Sequence, residues 1–312
     1  MTRDVTEFVR RAARQDQFLE VVDRDEAMRR FHAAVPWAPL GAEPVALGQA
    51  LGRVLAADVV APTDAPAFDR SVVDGFALRA ADTAGASDET PRRLALDADV
   101  IAAGRVPDHA IGPGRAMVVA TGGMVPRGAD AVVMVEHTDL AETDSLAVDI
   151  RRPAAPGQGI SFAGSDIGRG ETVLRPGQRL GAREIGTLAA VGVATVEVVR
   201  RPIVAVLSTG DEIVAPGDAL TPGQVYDANG AVLAAAVAEQ GGIARPLGIA
   251  PDDEAKLEAA LGRAGDADMI LVSGGTSKGA GDLTYRVVAR MGRPGVLVHG
   301  VALKPGKPLC LA

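Results

Sequence analysis

The sequence predicts a multidomain protein of the α/β plus β class, with a doubly wound, mostly parallel α/β domain in its C-terminal part. From residue 201 onward, short apolar runs at 203–207, 244–248 and 269–272 alternate with helical patterns, as in a parallel sheet covered by helices. Before that point, β-like runs separated by Gly- and Pro-rich loops predict a mostly β module over residues 67–152. A chain of 312 residues is long enough for two or three domains.

The elements ahead of residue 201 follow from caps, prolines and alternation of apolar residues. Residues 1–20 are charged and mildly amphipathic, so we expect an N-terminal extension. Asp23 and Glu26 have capping-box spacing, which predicts a helix that ends near residue 35, before Pro36. Strands are expected at 43–47, 58–61, 94–102, 116–120, 131–135 and 193–199, a strand–turn–strand around Pro176–Gly177, and helices at 49–56 and 182–191.

The α/β part is expected to contain helices at 229–240, at 283–291, and from Pro251 and Asp252 to about residue 262. A last strand is expected at 296–303. In parallel sheets, ligands bind beyond the carboxyl ends of the strands. Glu212, Asp252 and Asp282 each come just after a predicted strand, so we expect all three at that edge. Each is also explained by helix capping, and Asp252 most easily of the three.

Composition excludes several classes of protein. A net charge of −8 provides no basic field for nucleic acid, and 3% aromatic residues provide no base-stacking platform. The single cysteine, Cys310, excludes an internal disulfide framework and suits a reducing compartment. No apolar run reaches the ~18 residues of a membrane span. The N-terminus lacks the apolar core of a signal peptide, so we expect a cytoplasmic protein without a membrane anchor.

A glycine-rich stretch, SGGTSKGAGD, joins the apolar run MILV to a helical pattern at residues 273–282. Strand, glycine turn and helix together present backbone N–H groups and a helix N-terminus to an anion. Its glycines allow positive φ and close approach of a ligand to the main chain. A tight turn with Asp282 as an ordinary helix cap is the alternative. The hydroxyl residues that precede Asp282 favour a ligand site.

Two further segments are candidates for function. The loop KPGKP holds Lys304 and Lys307 on a backbone restricted by Pro305 and Pro308, which favours an oxyanion site over two solvated surface lysines. The segment PAFDRSVVDGFALRAAD is a polar loop between apolar runs and carries Asp74. On its residues alone, a functional loop and a solvated turn are equally good explanations of that segment.

These blocks, taken in order with STGDE at residues 208–212, resemble the molybdopterin molybdenumtransferases, the MoeA and gephyrin E-domain family. The resemblance runs from about Val21 to the last residue. It implies that 21–66 and 153–200 form one elongated domain, that 67–152 is inserted into it, and that 201–312 is a molybdopterin-binding domain. It also implies a further strand, a helix and a small β domain after KPGKP, so we expect a chain truncated at its C-terminus relative to the family.

The resemblance implies an activity and a site. Members insert molybdate into adenylylated molybdopterin, release AMP and leave molybdenum on the dithiolene sulfurs. The residues implied as catalytic are Asp74, Thr121, Asp166, Glu212, Asp252, Asp282, Lys304 and Lys307. Those implied to bind the molybdopterin substrate are Ser208, Thr209, Gly210, Ser273, Gly274, Gly275, Thr276, Ser277, Gly279, Pro305 and Gly306.

A metal ion resolves the conflict of an anion cradle beside carboxylates. Mg²⁺ takes oxygen ligands from carboxylates and substrate phosphates, so Glu212 and Asp282, with Asp252, are the expected ligands. The resemblance also implies a homodimer, and other proteins of molybdenum cofactor biosynthesis as further partners. Two alternatives remain, a molybdopterin adenylyltransferase and a non-catalytic scaffold that binds molybdopterin or molybdate. The 200 residues ahead of the α/β part argue against the first, and the full set of acidic and lysine positions argues against the second.

Overall fold

The computed structural model of the chain describes residues 20–141, 146–274, 283–305 and 307–312. It divides the chain into two compact units, one of residues 43–198 and one of residues up to 42 together with 199–312. The boundary between these units falls at residue 43, and the domain limits implied by the family resemblance, 21–66 with 153–200 and 67–152, stay a prediction. The helices are α1 (Arg24–Ala34), α2 (Ala182–Ala190), α3 (Ala228–Glu239), α4 (Glu254–Gly262) and α5 (Leu283–Arg290). None of these helices is long and apolar enough to cross a membrane.

The strands are numbered along the chain, and most are short. Those before residue 200 are β1 (Ala42–Ala46), β2 (Val59–Val60), β3 (Arg70–Ser71), β4 (Gly75–Leu78), β5 (Arg92–Ile101), β6 (Arg115–Val119), β7 (Ala131–Met134), β8 (Thr138–Leu140), β9 (Ala147–Ile150), β10 (Ile160–Ser161), β11 (Thr172–Leu174) and β12 (Thr195–Val199). Those after it are β13 (Ile203–Thr209), β14 (Ile213–Val214), β15 (Val225–Tyr226), β16 (Ile243–Ala250), β17 (Met269–Ser273), β18 (Val298–His299) and β19 (Cys310–Leu311).

A six-stranded mixed sheet, in the order β7-β4-β6-β5-β9-β8, forms the predicted β module. Its pairings are antiparallel except for β5 with β6. Successive side chains of a strand point to opposite faces of a sheet. Both faces of this sheet carry buried apolar residues. Phe76 and Leu78 of β4 pack with Ile150 on one face, and Ala77 packs with Met117 on the other. This double burial explains the continuous apolar runs of β4 and β7.

Three two-stranded pairings, β1 with β12, β2 with β11 and β3 with β10, join the segments on either side of this sheet. The helix predicted at 49–56 is wrong, since only a 3₁₀ turn at Leu47–Gln49 is present. Gly52 has φ +76, and its N–H donates to the carbonyl of Leu180. The N–H of Leu55 donates to Gln178. Bonds to the 178–180 segment therefore replace the helical ones.

In the other unit, β16, β13 and β17 form a three-stranded parallel sheet in that order. The central strand is β13, and six of its seven residues are buried. Leu207 packs with Leu257 and Leu261 of α4 and with Val287 of α5. The predicted alternation of strands and helices is confirmed over this part of the chain.

The predicted strand at 296–303 is wrong in length and partner. Only Val298–His299 forms a strand, and it pairs antiparallel with Cys310–Leu311 rather than joining the parallel sheet. Gly300 has φ +111 and its N–H donates to Leu309, which turns the chain out of an extended strand. Val298 and Val301 pack with Ala27 of α1, whose N-cap Asp23 accepts a hydrogen bond from the N–H of Glu26 as predicted.

Candidate functional site

The loops at the carboxyl ends of β13, β16 and β17 carry most of the candidate residues. Ser208 and Thr209 end β13, and their side chains are almost completely buried. Gly210 follows with its N–H bonded to the carbonyl of Ala250, the last residue of β16. The ends of these neighbouring strands are thus tied together directly, as their parallel register requires.

Asp252 is held at this edge and does not cap a helix. Its Oδ1 accepts a hydrogen bond from Oγ1 of Thr209 at 3.2 Å. Its N–H donates to Oδ1 of Asp211 at 3.1 Å. The cap of α4 is the next residue, Asp253, whose carboxylate accepts from the N–H of Lys256. The explanation of Asp252 as a helix cap is therefore wrong. Asp211 was not among the predicted site residues, although it stands in the STGDE segment that was singled out.

Gly274 brings the start of the glycine loop against the end of β13. It has φ +105, and a Cβ at this position would lie 2.1 Å from the carbonyl oxygen of Thr209. Only glycine allows the two backbones to approach so closely. Ser273, at the end of β17, pairs with Ser208. Gly275, Thr276, Ser277, Gly279 and Asp282 lie outside the described residues.

Glu212 folds back over Gly210 at the same edge. A Cβ on Gly210 would lie 2.7 and 2.9 Å from the two carboxylate oxygens of Glu212. Asp211, Glu212 and Asp252 are all oxygen donors, the ligand type that Mg²⁺ requires. No group of three or more His, Cys, Asp or Glu side chains that could hold a metal ion occurs within the ranges the structure describes. A Mg²⁺ site at Glu212, Asp252 and Asp282 therefore stays a prediction.

The lysine loop carries two cations that form no ion pair among the described residues. Neither Lys304 nor Lys307 forms an ion pair with any residue for which the structure gives a position, and the N–H of Val301 donates to the carbonyl of Lys307. The chain uses lysine sparingly: its only lysines are Lys256, Lys278, Lys304 and Lys307. Two lysines within four residues are therefore unusual for this sequence. Pro305 is described, and Gly306 lies outside the described residues.

Asp74 and Thr121 form a second group, in the unit of residues 43–198. Asp74 precedes β4 and Thr121 follows β6, and these two strands are antiparallel neighbours. Oδ1 of Asp74 accepts hydrogen bonds from the N–H of Thr121 at 2.7 Å and from its Oγ1 at 3.0 Å. Both bonds favour the ionised carboxylate, the backbone bond more strongly, and lower the pKa of Asp74. The predicted pair is therefore in direct contact.

Thr121→Val should raise the pKa of Asp74, yet leave it below the ordinary value for aspartate, because the N–H of Thr121 still donates. A lowered pKa means that the contact stabilises the fold above the ordinary aspartate pKa, and that this contribution is lost as the pH falls through the folded-state pKa. NMR titration of the Asp74 carboxyl carbon in both proteins measures the difference. Identical titration curves would show that the hydroxyl does not act on Asp74.

Asp166 lies in the same unit but in a different setting. It lines an open cleft of about 410 Å³ together with Asp64, Phe68 and Arg70. Its own N–H donates to the carbonyl of Ala65. Asp166 was predicted as a site residue from the sequence, whereas Phe68 and Arg70 were not, although both stand in the segment PAFDR. A phenylalanine in a chain with 3% aromatic residues was the available signal.

Comparison with known sequences assigns both parts of the chain. The MoeA N-terminal region (domain I and II) matches residues 22–192, and a probable molybdopterin binding domain matches residues 205–312. Molybdopterin molybdenumtransferase 2 of Mycobacterium tuberculosis is 44% identical over 273 residues, which are 85% of this chain and 65% of that protein. Molybdopterin molybdenumtransferase of Bacillus subtilis is 38% identical over 92% of this chain and 66% of its own length.

A solved structure agrees with these matches. The molybdopterin biosynthesis MoeA protein of Pyrococcus horikosii superposes with a TM-score of 0.81 at 40% identity, over 93% of this chain and 71% of its own. The chain thus spans about two thirds of the length of the curated relatives that it matches. Both halves match in the same order as in these proteins, and the chain belongs to the MoeA family of molybdopterin biosynthesis proteins.

Proposed function

We propose that the protein is a molybdopterin molybdenumtransferase that inserts molybdate into adenylylated molybdopterin and releases AMP. The observation that carries this proposal is the convergence of Thr209, Asp252 and Gly274 at one edge of the parallel sheet. At such an edge, a phosphate-bearing substrate would have both backbone N–H groups and carboxylates within reach. The names of the relatives support the same reaction.

The described residues suit distinct parts of this reaction. Thr209 donates to Asp252 and so holds its carboxylate in one orientation. The missing side chain at Gly274 lets the start of the glycine loop lie against the end of β13, beside Thr209. Mg²⁺, held by Glu212 and Asp282 with Asp252, would act as a Lewis acid on the phosphoanhydride. Lys304 and Lys307 would hold molybdate, because ammonium groups bind a small tetrahedral dianion as point charges.

The test is AMP release from adenylylated molybdopterin by the purified chain, with molybdate and Mg²⁺ added separately and together. We expect AMP release that depends on both. A second assay supplies molybdopterin and ATP and measures adenylylated product. This assay would detect the activity of the alternative function, a molybdopterin adenylyltransferase. Absence of molybdate-dependent AMP release would contradict the proposal.

Replacing both Lys304 and Lys307 by methionine should raise the molybdate concentration needed for half-maximal AMP release by roughly tenfold or more, because two charge-assisted contacts are lost. Binding of adenylylated molybdopterin should change little. Lys256→Met is the matched control, since Lys256 is an exposed lysine of α4. An equal molybdate response in the double variant and the wild type would rule out the oxyanion site.

We further propose a two-fold homodimer with two composite sites, each combining Asp74 and Thr121 of one copy with Glu212, Asp282 and Lys307 of the other. Two-fold dimers are the commonest oligomers, and the candidate residues are divided between two separate units. Mixing Asp74→Ala and Asp282→Ala chains under subunit exchange should restore part of the activity, because one site of each mixed dimer is then intact. Exchange without recovery would exclude sites shared between copies.

The remaining parts of the proposal concern fold and compartment. The three-stranded parallel sheet is inferred to belong to a doubly wound domain, with α3 on one face and α4 and α5 on the other. A cytoplasmic location is inferred from the single cysteine, Cys310, because one cysteine cannot form a disulfide within the chain. The doubly wound fold follows from the order of strands and helices, and the location follows from the cysteine content, so neither depends on the proposed reaction.

A further inference from the structure

An open cleft of about 410 Å³ lies within the unit of residues 43–198, and we call it the Phe68 cleft. Its walls come from residues 63–68, from Arg70 and Asp166, and from the end of α2 with Gly192. A volume of this size falls in the range of small-molecule sites. The cleft is separate from the contact between Asp74 and Thr121, since neither of those residues lines it.

One wall of the cleft is apolar. Ala65 and Pro66 are buried, and Phe68 is half-buried beside them. The chain has only six phenylalanines among 312 residues, so an aromatic ring in a cleft wall is uncommon here. A flat ring offers its face to another flat ring, because offset stacking is favourable. This wall therefore suits a planar heterocycle.

The polar side chains of the cleft differ in whether they already form hydrogen bonds or ion pairs within the protein. Oδ1 of Asp64 accepts a hydrogen bond from the N–H of Arg169 at 2.7 Å. The side chains of Asp166 and Arg70 are exposed, and neither forms an ion pair or hydrogen bond with the residues whose positions the structure gives. One carboxylate and one guanidinium are thus free for a ligand.

The carboxylate of Asp166 favours a ligand ring with several N–H donors. An ionised carboxylate only accepts hydrogen bonds, and the carboxyl end of α2 adds the negative end of a helix dipole to the same wall. A pterin ring presents an amino group and an adjacent ring N–H side by side, which match the two oxygens of one carboxylate. Adenine presents a single amino donor. The guanidinium of Arg70 suits an anionic group attached to the ring.

We propose that the Phe68 cleft binds the pterin half of the substrate, with Asp166 accepting from the amino group and ring N–H, Phe68 against the ring face, and Arg70 on the phosphate. This assignment rests on the proposed function for the choice of substrate. It gives Phe68 and Arg70 a role in recognition, and it gives Asp166 a role in orienting the pterin.

Binding of pterin-6-carboxylate, a fluorescent pterin with an attached anion, tests the proposal on the full chain. We expect Asp166→Asn to weaken binding by roughly tenfold or more, because a charge-assisted pair of bonds is lost. Arg70→Gln should weaken it by a smaller factor. Arg175→Gln is the matched control, an exposed arginine outside the cleft, and should bind as the wild type does. AMP should not displace the pterin.

Equal affinity of Asp166→Asn and wild type, no binding of the pterin, or displacement of the pterin by AMP would each overturn the proposal. Displacement by AMP would assign the cleft to the adenine half instead. Asp166 is exposed and its side chain has no partner in the described structure, so thermal unfolding of the variant should match the wild type. Pterin binding without AMP release would leave this site standing and reject the proposed function. AMP release without pterin binding would leave the proposed function standing and reject this site.

Discussion

Gly274→Ala should destabilise the parallel-sheet unit by about 3 kcal/mol and stop AMP release, because the new Cβ cannot fit against the end of β13. That Cβ would lie 2.1 Å from the carbonyl oxygen of Thr209, a backbone atom that cannot move without moving the strand. Relief of the clash must push the glycine loop away from Thr209 and Asp252. Urea unfolding and the AMP assay on the same protein measure the two effects.

Gly292→Ala is the matched control, since Gly292 has φ +108, nearly the φ of +105 at Gly274. Apart from its chain neighbours, no described residue has an atom within 4 Å of the Cβ position of Gly292. It carries the same backbone strain without the clash, so we expect a loss of about 1 kcal/mol and normal activity. The difference between the two variants isolates the contact with Thr209. If both variants unfold at the same urea concentration, the close approach at Gly274 does not contribute.

Asp282→Asn should lower the rate of AMP release by roughly a thousandfold, because a neutral amide is a poor Mg²⁺ ligand and the metal supplies several kcal/mol of transition-state stabilisation. Asparagine keeps the size of the side chain and still caps a helix, so folding should be unaffected. The rate should be measured across a range of Mg²⁺ concentrations, where partial recovery at high Mg²⁺ is expected.

Asp253→Asn is the control for this prediction. Asp253 caps α4 through the N–H of Lys256, and asparagine caps about as well as aspartate, so the rate should stay close to wild type. Each of the two variants replaces one aspartate by asparagine and so removes one negative charge. A rate unchanged by Asp282→Asn would show that this residue is not a metal ligand.

Asp252 and Asp253 are adjacent in the sequence but have different roles in the structure. The pattern of strand, polar residues and helix placed Asp252 at the carboxyl edge of the sheet and did not single out Asp253. It could not tell which carboxylate caps α4, since either aspartate can precede a helix. The structure separates them, because β16 ends at Ala250 and leaves Asp252 beside Oγ1 of Thr209.

Two elements were mispredicted for a related reason. Residues 49–56 and 296–303 have local patterns of a helix and a strand, but their backbone N–H groups bond to distant segments, at 178–180 and around Leu309. Gly52 and Gly300 adopt positive φ there, which a local pattern does not reveal. Long-range hydrogen bonds decided both conformations.

The sequence by itself determined the alternation of strands and helices after residue 200, the β module before it, and the family. These follow from periodic burial and from short motifs, which are local properties of the chain. Only the tertiary structure decided that Asp74 meets Thr121, that Gly274 lies against Thr209, and that Phe68, Arg70 and Asp166 line one cleft. Arg70 and Asp166 are far apart in the sequence and share a cleft because β3 pairs with β10. The energy of this pairing depends on both strands together, so neither segment alone predicts it.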